Sequence, residues 1–210
     1  MSTQHRTAET APWREPAWDV ALLFPPQGEW SEEEYLALDT NRQVEYSDGH
    51  IAVSEMPTAL HQLIAAFLYR MLFSFVDARA LGIVLPAAYP VRLREGKYRE
   101  PDVLFISSAN AARLHNEYSD GADLVIEVVS SNRQHDLVRK RREYALAGIP
   151  EYWIVDPELE AITVLSLDGD RYMEHGVFVR GAIVSSKLLA GFTVSVDEIF
   201  TAGKAAGLTQ

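Results

Sequence analysis

The octapeptide DLVIEVVS, at 123–130, constrains the fold more than any other stretch of the chain. Leu124, Val125, Ile126, Val128 and Val129 make the near-continuous apolar run of a strand covered on both faces. Such a strand needs protein above and below it, so the chain has to build layers around a sheet. Glu127 interrupts the run. A carboxylate inside a strand core is retained when a partner or a metal ion compensates its charge. The stretch that sets the architecture therefore also marks a candidate site.

The remaining pattern supplies the other layers. Trp30-Ser31-Glu32-Glu33-Glu34 opens a short helix, with Ser31 as N-cap and Glu34 completing a capping box. QVEYSDGHIAV predicts a hairpin: Val44 and Tyr46 alternate with Gln43 and Glu45, Asp48-Gly49 makes the turn, and Ile51 and Val53 return. Over 58–79, Leu60, Leu63, Ile64, Phe67, Leu68, Met71, Leu72 and Phe75 recur at the three-and-four spacing of a buried helical stripe. Strands are predicted at 83–85, 88–93 and 103–106, a loop or broken helix at 107–120, and the central strand at 124–129. A second helix over 134–147 is stopped by Gly148 and Pro150. Strands at 151–155 and 161–165, divided by an Asp-Pro turn, precede weaker ones at Tyr172, 177–179 and Val194. This order predicts an α/β (α+β) fold, a central mixed β-sheet flanked by helices. The expected division is a flexible tail over 1–25, one domain over 26–200 and a C-terminal tail over 201–210.

Composition narrows the classes. The longest apolar stretch, around 60–76, is interrupted by His61, Gln62, Tyr69 and Arg70, and reads as a core helix with no run able to cross a bilayer. The opening MSTQHRTAETAPWREP lacks the apolar segment of a secretory signal. The absence of cysteine excludes disulfides and thiolate metal sites, and fits a reducing cytoplasm. With 30 acidic against 19 basic residues, the net charge of −11 weighs against holding nucleic acid by bulk electrostatics. Carboxylates clustered around a metal nevertheless act locally as a cation site.

Those carboxylates can be named. In REPDVLFIS, Asp102 stands at the mouth of a strand, where sheets commonly present ligands. Neighbouring strands would bring Asp102 and Glu127 to one spot, and a hard divalent ion with oxygen ligands would relieve their repulsion. On the following helix Asp136, Lys140 and Tyr144 fall four apart and share a face, so Lys140 would set a positive charge beside the acids. Glu45 offers a further oxygen ligand. Plainer readings stand beside these. Asp102 caps a turn after Pro101, Glu127 pairs with Arg92, Arg94 or Arg99, Asp136 and Lys140 form an exposed ion pair, and Tyr144 packs. Arg133, Arg139 and Arg142 place basic charge near the site for nucleic-acid contacts, or else form a solvated helix face. Arg92, Arg94, Lys97 and Arg99 make a second basic cluster.

The order of Asp102 and Glu127 resembles the "PD…E" of the PD-(D/E)XK nuclease superfamily, with its restriction-endonuclease-like fold. More narrowly, VEYSDGHI, TALHQLIA, EPDVLFIS, DLVIEVVS, then D-x-x-x-K-x-x-x-Y and GIPEYWIVD resemble the Uma-two family of bacterial endonucleases. The resemblance implies a Mg²⁺ (or Mn²⁺) site formed by Asp102, Glu127 and Glu45, with DNA as substrate. His61 matches the pattern too, as a residue touching the scissile phosphate or a metal-bound water, or as a structural histidine. The superfamily's lysine two residues after the second acid is replaced by Val129, and Lys140 is its substitute on the next helix. By analogy, a homodimer would supply two active sites for duplex cutting. The alternatives are a catalytically silent binding or regulatory protein, or a hydrolase of RNA or a small phosphoester.

Overall fold

The computed structural model describes residues 23–40, 42–133 and 135–203, without the side chains of His135 and Asp136. Most of the expected N-terminal tail and the segment beyond Gly203 lie outside the described residues. Ser31 caps α1 (Glu32–Leu36) through the anticipated capping box with Glu34. β1 (Val44–Ser47) and β2 (His50–Val53) form the hairpin, and Asp48 and Gly49 both take the positive φ that its tight turn demands. The apolar stripe becomes α2 (Ala59–Asp77), whose Ile64, Leu68 and Leu72 are wholly buried. Each such side chain contributes about 1.5–3 kcal/mol on leaving water. By length and apolarity α2 is sufficient to cross a bilayer, contrary to the reading from sequence. Here, however, its stripe is spent on the core.

β3 (Gly82–Pro86) is followed by an element the sequence misdrew. In place of one strand over 88–93 there is a hairpin of β4 (Val91–Arg94) and β5 (Lys97–Arg99). β6 (Val103–Ser107), a 3-10 helix at Ser108–Arg113 and β7 (Leu124–Val128) match expectation. The second helix starts with a π-helical turn, His135–Arg139, before α3 (Lys140–Leu146). β8 (Glu151–Asp156) and β9 (Ala161–Asp168) follow. β10 (Arg171–Val179) is one nine-residue strand, and a bulge between Glu174 and Gly176 breaks the alternation that made it look like fragments. β11 (Ile183–Ser185), β12 (Thr193–Ser195) and α4 (Val196–Ala202) complete the described chain, and α4 was not anticipated.

Six strands form the main sheet in the order β10-β9-β8-β7-β6-β3, with β7 and β8 parallel and the other neighbours antiparallel. The parallel pair requires a crossover, and α3 provides it. Beneath one face Val103, Phe105, Ile126 and Trp153 pack with α2 and α4, and on the other Leu104, Val125 and Tyr152 pack with Tyr144 and Ala145 of α3. The two-sided apolar strand is thus covered as its composition required. A second sheet, β2-β1-β5-β4, has its own small core of Trp30, Tyr35, Val44, Tyr46 and Tyr98.

Candidate active site

Register alone brings the first two acids together. Val103 of β6 pairs with Ile126 of β7 in an antiparallel ladder, so the next rung outward sets Asp102 beside Glu127. Period-two alternation then puts both on the face that Leu104 and Val125 share, the face α3 covers. The helix lays Lys140 and Tyr144 over that spot, one turn apart as their spacing predicted. Lys140 Nζ lies 2.9 Å from Glu127 Oε2, and the Tyr144 hydroxyl donates to Glu127 Oε1 at 2.5 Å. Tyr144 is therefore more than packing: it completes the hydrogen bonding of a fully buried carboxylate.

The electrostatics of Glu127 are those of an acid held against its inclination. Burial pushes its pKa from 4.5 up to about 7; Lys140 pulls it back, and the charge of Asp102 pushes it up again. The same burial, with Glu127 alongside, carries the Tyr144 phenol well above its usual value. Asp102 accepts the Val128 backbone N–H at Oδ2, 2.8 Å away, and His61 Nε2 lies 3.2 Å from the same oxygen. His61 Nε2 is also 3.1 Å from the Val128 carbonyl oxygen. Burial drags the imidazole pKa down, but Asp102 and Glu127 outweigh it and leave the pKa raised.

Glu45 is not on a solvated hairpin face. It is buried, 3.5 Å from Lys140 Nζ and 3.4 Å from Arg99 Nε. Arg99 also binds Glu143 at 2.8 Å, and Lys97 holds the other Glu143 oxygen at 2.7 Å. Arg99 thus partners Glu45 and Glu143, and Glu127 has Lys140. Arg92 and Arg94 are occupied by Asp120 and Asp48, so every member of the second basic cluster is paired with a carboxylate. Arg99, expected as a partner of Glu127, instead holds Glu45 and Glu143, and Glu143 and Glu100 are the site neighbours that sequence reasoning missed. Glu100 accepts from the Tyr35 hydroxyl and the Val44 N–H, and burial pushes it up to about 7. Their burial arises from the second sheet folding against the site, a contact remote in sequence that leaves no local signal.

A cleft of about 550 Å³ opens over this cluster, lined by Glu45, His61, Asp102, Glu127, Arg139 and Lys140 among others. Arg133 also lines it, tied to Asp156 at 2.5 Å and Glu158 at 3.0 Å. Arg139 is largely exposed, with Glu143 3.6 Å away. Arg142 is exposed and does not line the cleft. The Asp136 side chain lies outside the described residues. Among the described residues no three His, Asp or Glu side chains are grouped to hold a metal ion, and Glu45 is paired with Arg99 and Lys140. The pair Asp102 and Glu127 still suits a hard divalent cation in its chemistry. Both are oxygen donors facing one cleft, and burial with mutual repulsion leaves Glu127 short of positive charge even with Lys140 present.

A mixed sheet covered by helices, with paired acids at the ends of adjacent strands, defines the restriction-endonuclease-like class of α/β fold. Residues 32–197 match the Uma2 family, described as "putative restriction endonuclease", and the chain belongs to that family. A solved structure from Anabaena variabilis ATCC 29413, described as "a putative nuclease belonging to DUF820", shares the fold with a TM-score of 0.66. It is 20% identical, and the match covers 81% of this chain and 97% of that one. No curated protein matches the sequence.

Proposed function

We propose that the protein is a Mg²⁺- or Mn²⁺-dependent endodeoxyribonuclease of the PD-(D/E)XK type. One observation carries the reading: Asp102 and Glu127 stand side by side at a strand end with Lys140 Nζ 2.9 Å from Glu127, all three lining the floor of one cleft. The family's description as a restriction endonuclease supports phosphodiester hydrolysis. Asp102 and Glu127 are the residues that would hold the ion, with Glu45 as the third acid. A bound divalent ion would supply polarisation of the phosphate and activation of water. Lys140 stabilises negative charge that develops on the phosphate, and the cleft walls hold the strand in line. The water oxygen forms the new bond to phosphorus as the water gives up a proton, the bond to the departing sugar oxygen breaks, and a proton is returned to that oxygen, so the two proton transfers balance. Arg139 is free enough on its outer side to meet a flanking phosphate. Cutting both strands of a duplex calls for two such sites, supplied by a homodimer. A chain without cysteine suits a cytoplasmic setting.

A second reading has its own support. Lys140 is engaged by two carboxylates and Val129 replaces the strand lysine, which favours a catalytically silent nuclease fold that binds nucleic acid. Cleavage of plasmid, single-stranded DNA and RNA with Mg²⁺ or Mn²⁺, against Asp102→Ala, decides between them. Metal-dependent DNA cutting that the substitution reduces at least about a hundredfold is expected. Cutting that survives it would refute the site, and cutting of RNA alone would change the substrate.

A further inference from the structure

The hydrolytic scheme leaves His61 without a task, yet its imidazole touches the acid pair. Nε2 faces two oxygens from different strands, Asp102 Oδ2 at 3.2 Å and the Val128 carbonyl at 3.1 Å. Neither contact is needed to fix the acid. Asp102 Oδ2 already receives the Val128 N–H at 2.8 Å, so the strand end positions it without the ring. Behind the ring, Nδ1 is buried with no hydrogen-bond partner among the described residues. A histidine held as a structural brace, or as a base, ordinarily has its second nitrogen fixed by an acceptor. Among the described residues, the His61 ring is fastened only at its tip. Its backbone belongs to the first turn of α2, where its N–H is capped by the Thr58 hydroxyl. That backbone bond does not involve the ring, so the ring's contacts can break without uncapping the helix.

A carboxylate oxygen and a backbone carbonyl, gathered at one point beside Glu127, are ligands of the kind a hard divalent cation prefers. An N–H that bridges two such oxygens occupies the seat a cation would take. We infer that His61 is a placeholder for the cation: the ring's present pose and the loaded site exclude one another, and the imidazole swings out as the ion enters. This rests on the nuclease reading, because it takes the cation site from there. The physical consequence is competition. Each binding event must break the ring's contacts, so the histidine weakens cation affinity, and a chain lacking the imidazole binds more tightly.

Calorimetric titration of Ca²⁺ and Mn²⁺ into the full chain tests this, comparing wild type with His61→Ala, His61→Asn and, as the site control, Asp102→Ala. Affinity on the order of tenfold tighter is expected for His61→Ala, matching the loss of a hydrogen bond of ordinary net strength. His61→Asn, too short to span both oxygens, is expected to follow it. In wild type, the His61 ring resonances should shift with Ca²⁺ at the calorimetric midpoint, a readout that needs no variant to fold. Unchanged or weaker binding by folded His61→Ala would overturn the inference, as would ring resonances that stay put at saturating Ca²⁺. Binding that depends on Asp102 while His61 stays put sinks the placeholder alone. No Asp102-dependent binding in wild type or His61→Ala sinks the cation site as well.

Discussion

Replacing Glu127 by glutamine keeps the shape of the side chain and deletes its charge. In the wild type the carboxyl pKa rises from 4.5 to about 7, chiefly through burial. Below pH 4.5 the group is protonated both in the fold and in the unfolded chain. Between 4.5 and 7 the unfolded chain releases a proton that the fold retains, so stability falls as pH rises through that window and stays low above it. At about 1.4 kcal/mol per pH unit the loss amounts to about 3 kcal/mol. Glutamine imitates the protonated form at every pH and escapes that loss. Glu127→Gln is therefore expected to be as stable as wild type near pH 4.5 and about 3 kcal/mol more stable at pH 8. That corresponds to roughly 6–12 °C in Tm for a chain of this size. Urea denaturation at the two pH values measures it. Metal-dependent cleavage should disappear in the same variant. A glutamine variant less stable than wild type at pH 8, or offset by the same margin at both pH values, would refute the reasoning.

Lys140→Met retains the aliphatic stem but leaves Glu127 and Glu45 facing each other. Stability should fall by about 3–5 kcal/mol at pH 8, and by less at pH 5, where Glu127 carries a proton; urea unfolding at both values checks this. Arg139→Ala should lower the slope of log K against log salt by about 0.7–0.9 for oligonucleotide binding. Arg133→Ala should change that slope less, because its guanidinium is bound to Asp156 and Glu158; fluorescence anisotropy across a salt series reads both.

The parts legible in the sequence were those with a strong period or a costly residue. The stripe of α2 and the two-sided run of β7 could be satisfied only by burial, and Glu127 was conspicuous because charge is expensive inside such a run. The i, i+4 spacing of Lys140 and Tyr144 needed only a helix in the right place. What escaped notice depended on contacts remote in sequence. β4 and β5 are short, and Arg92, Arg94, Lys97 and Arg99 look like a solvated strip until the second sheet buries Arg99 against Glu45 and Glu143. Alternation assigned Glu45 a polar face correctly, but nothing local says that this face turns inward. α4 was hidden because VDEIFTA offers barely two turns of pattern.

An ammonium delivered from thirteen residues downstream, on a separate helix, makes the charge balance of the site a property of finished tertiary structure. A lysine on the same strand would travel with its acid from the moment the strand forms. Here Glu127 meets its ammonium only where α3, the crossover between the parallel strands β7 and β8, lies on the sheet. A chain whose crossover has not closed therefore leaves Glu127 without its ammonium, so the charge balance at this carboxylate is inherited from the topology rather than from the strand that carries it.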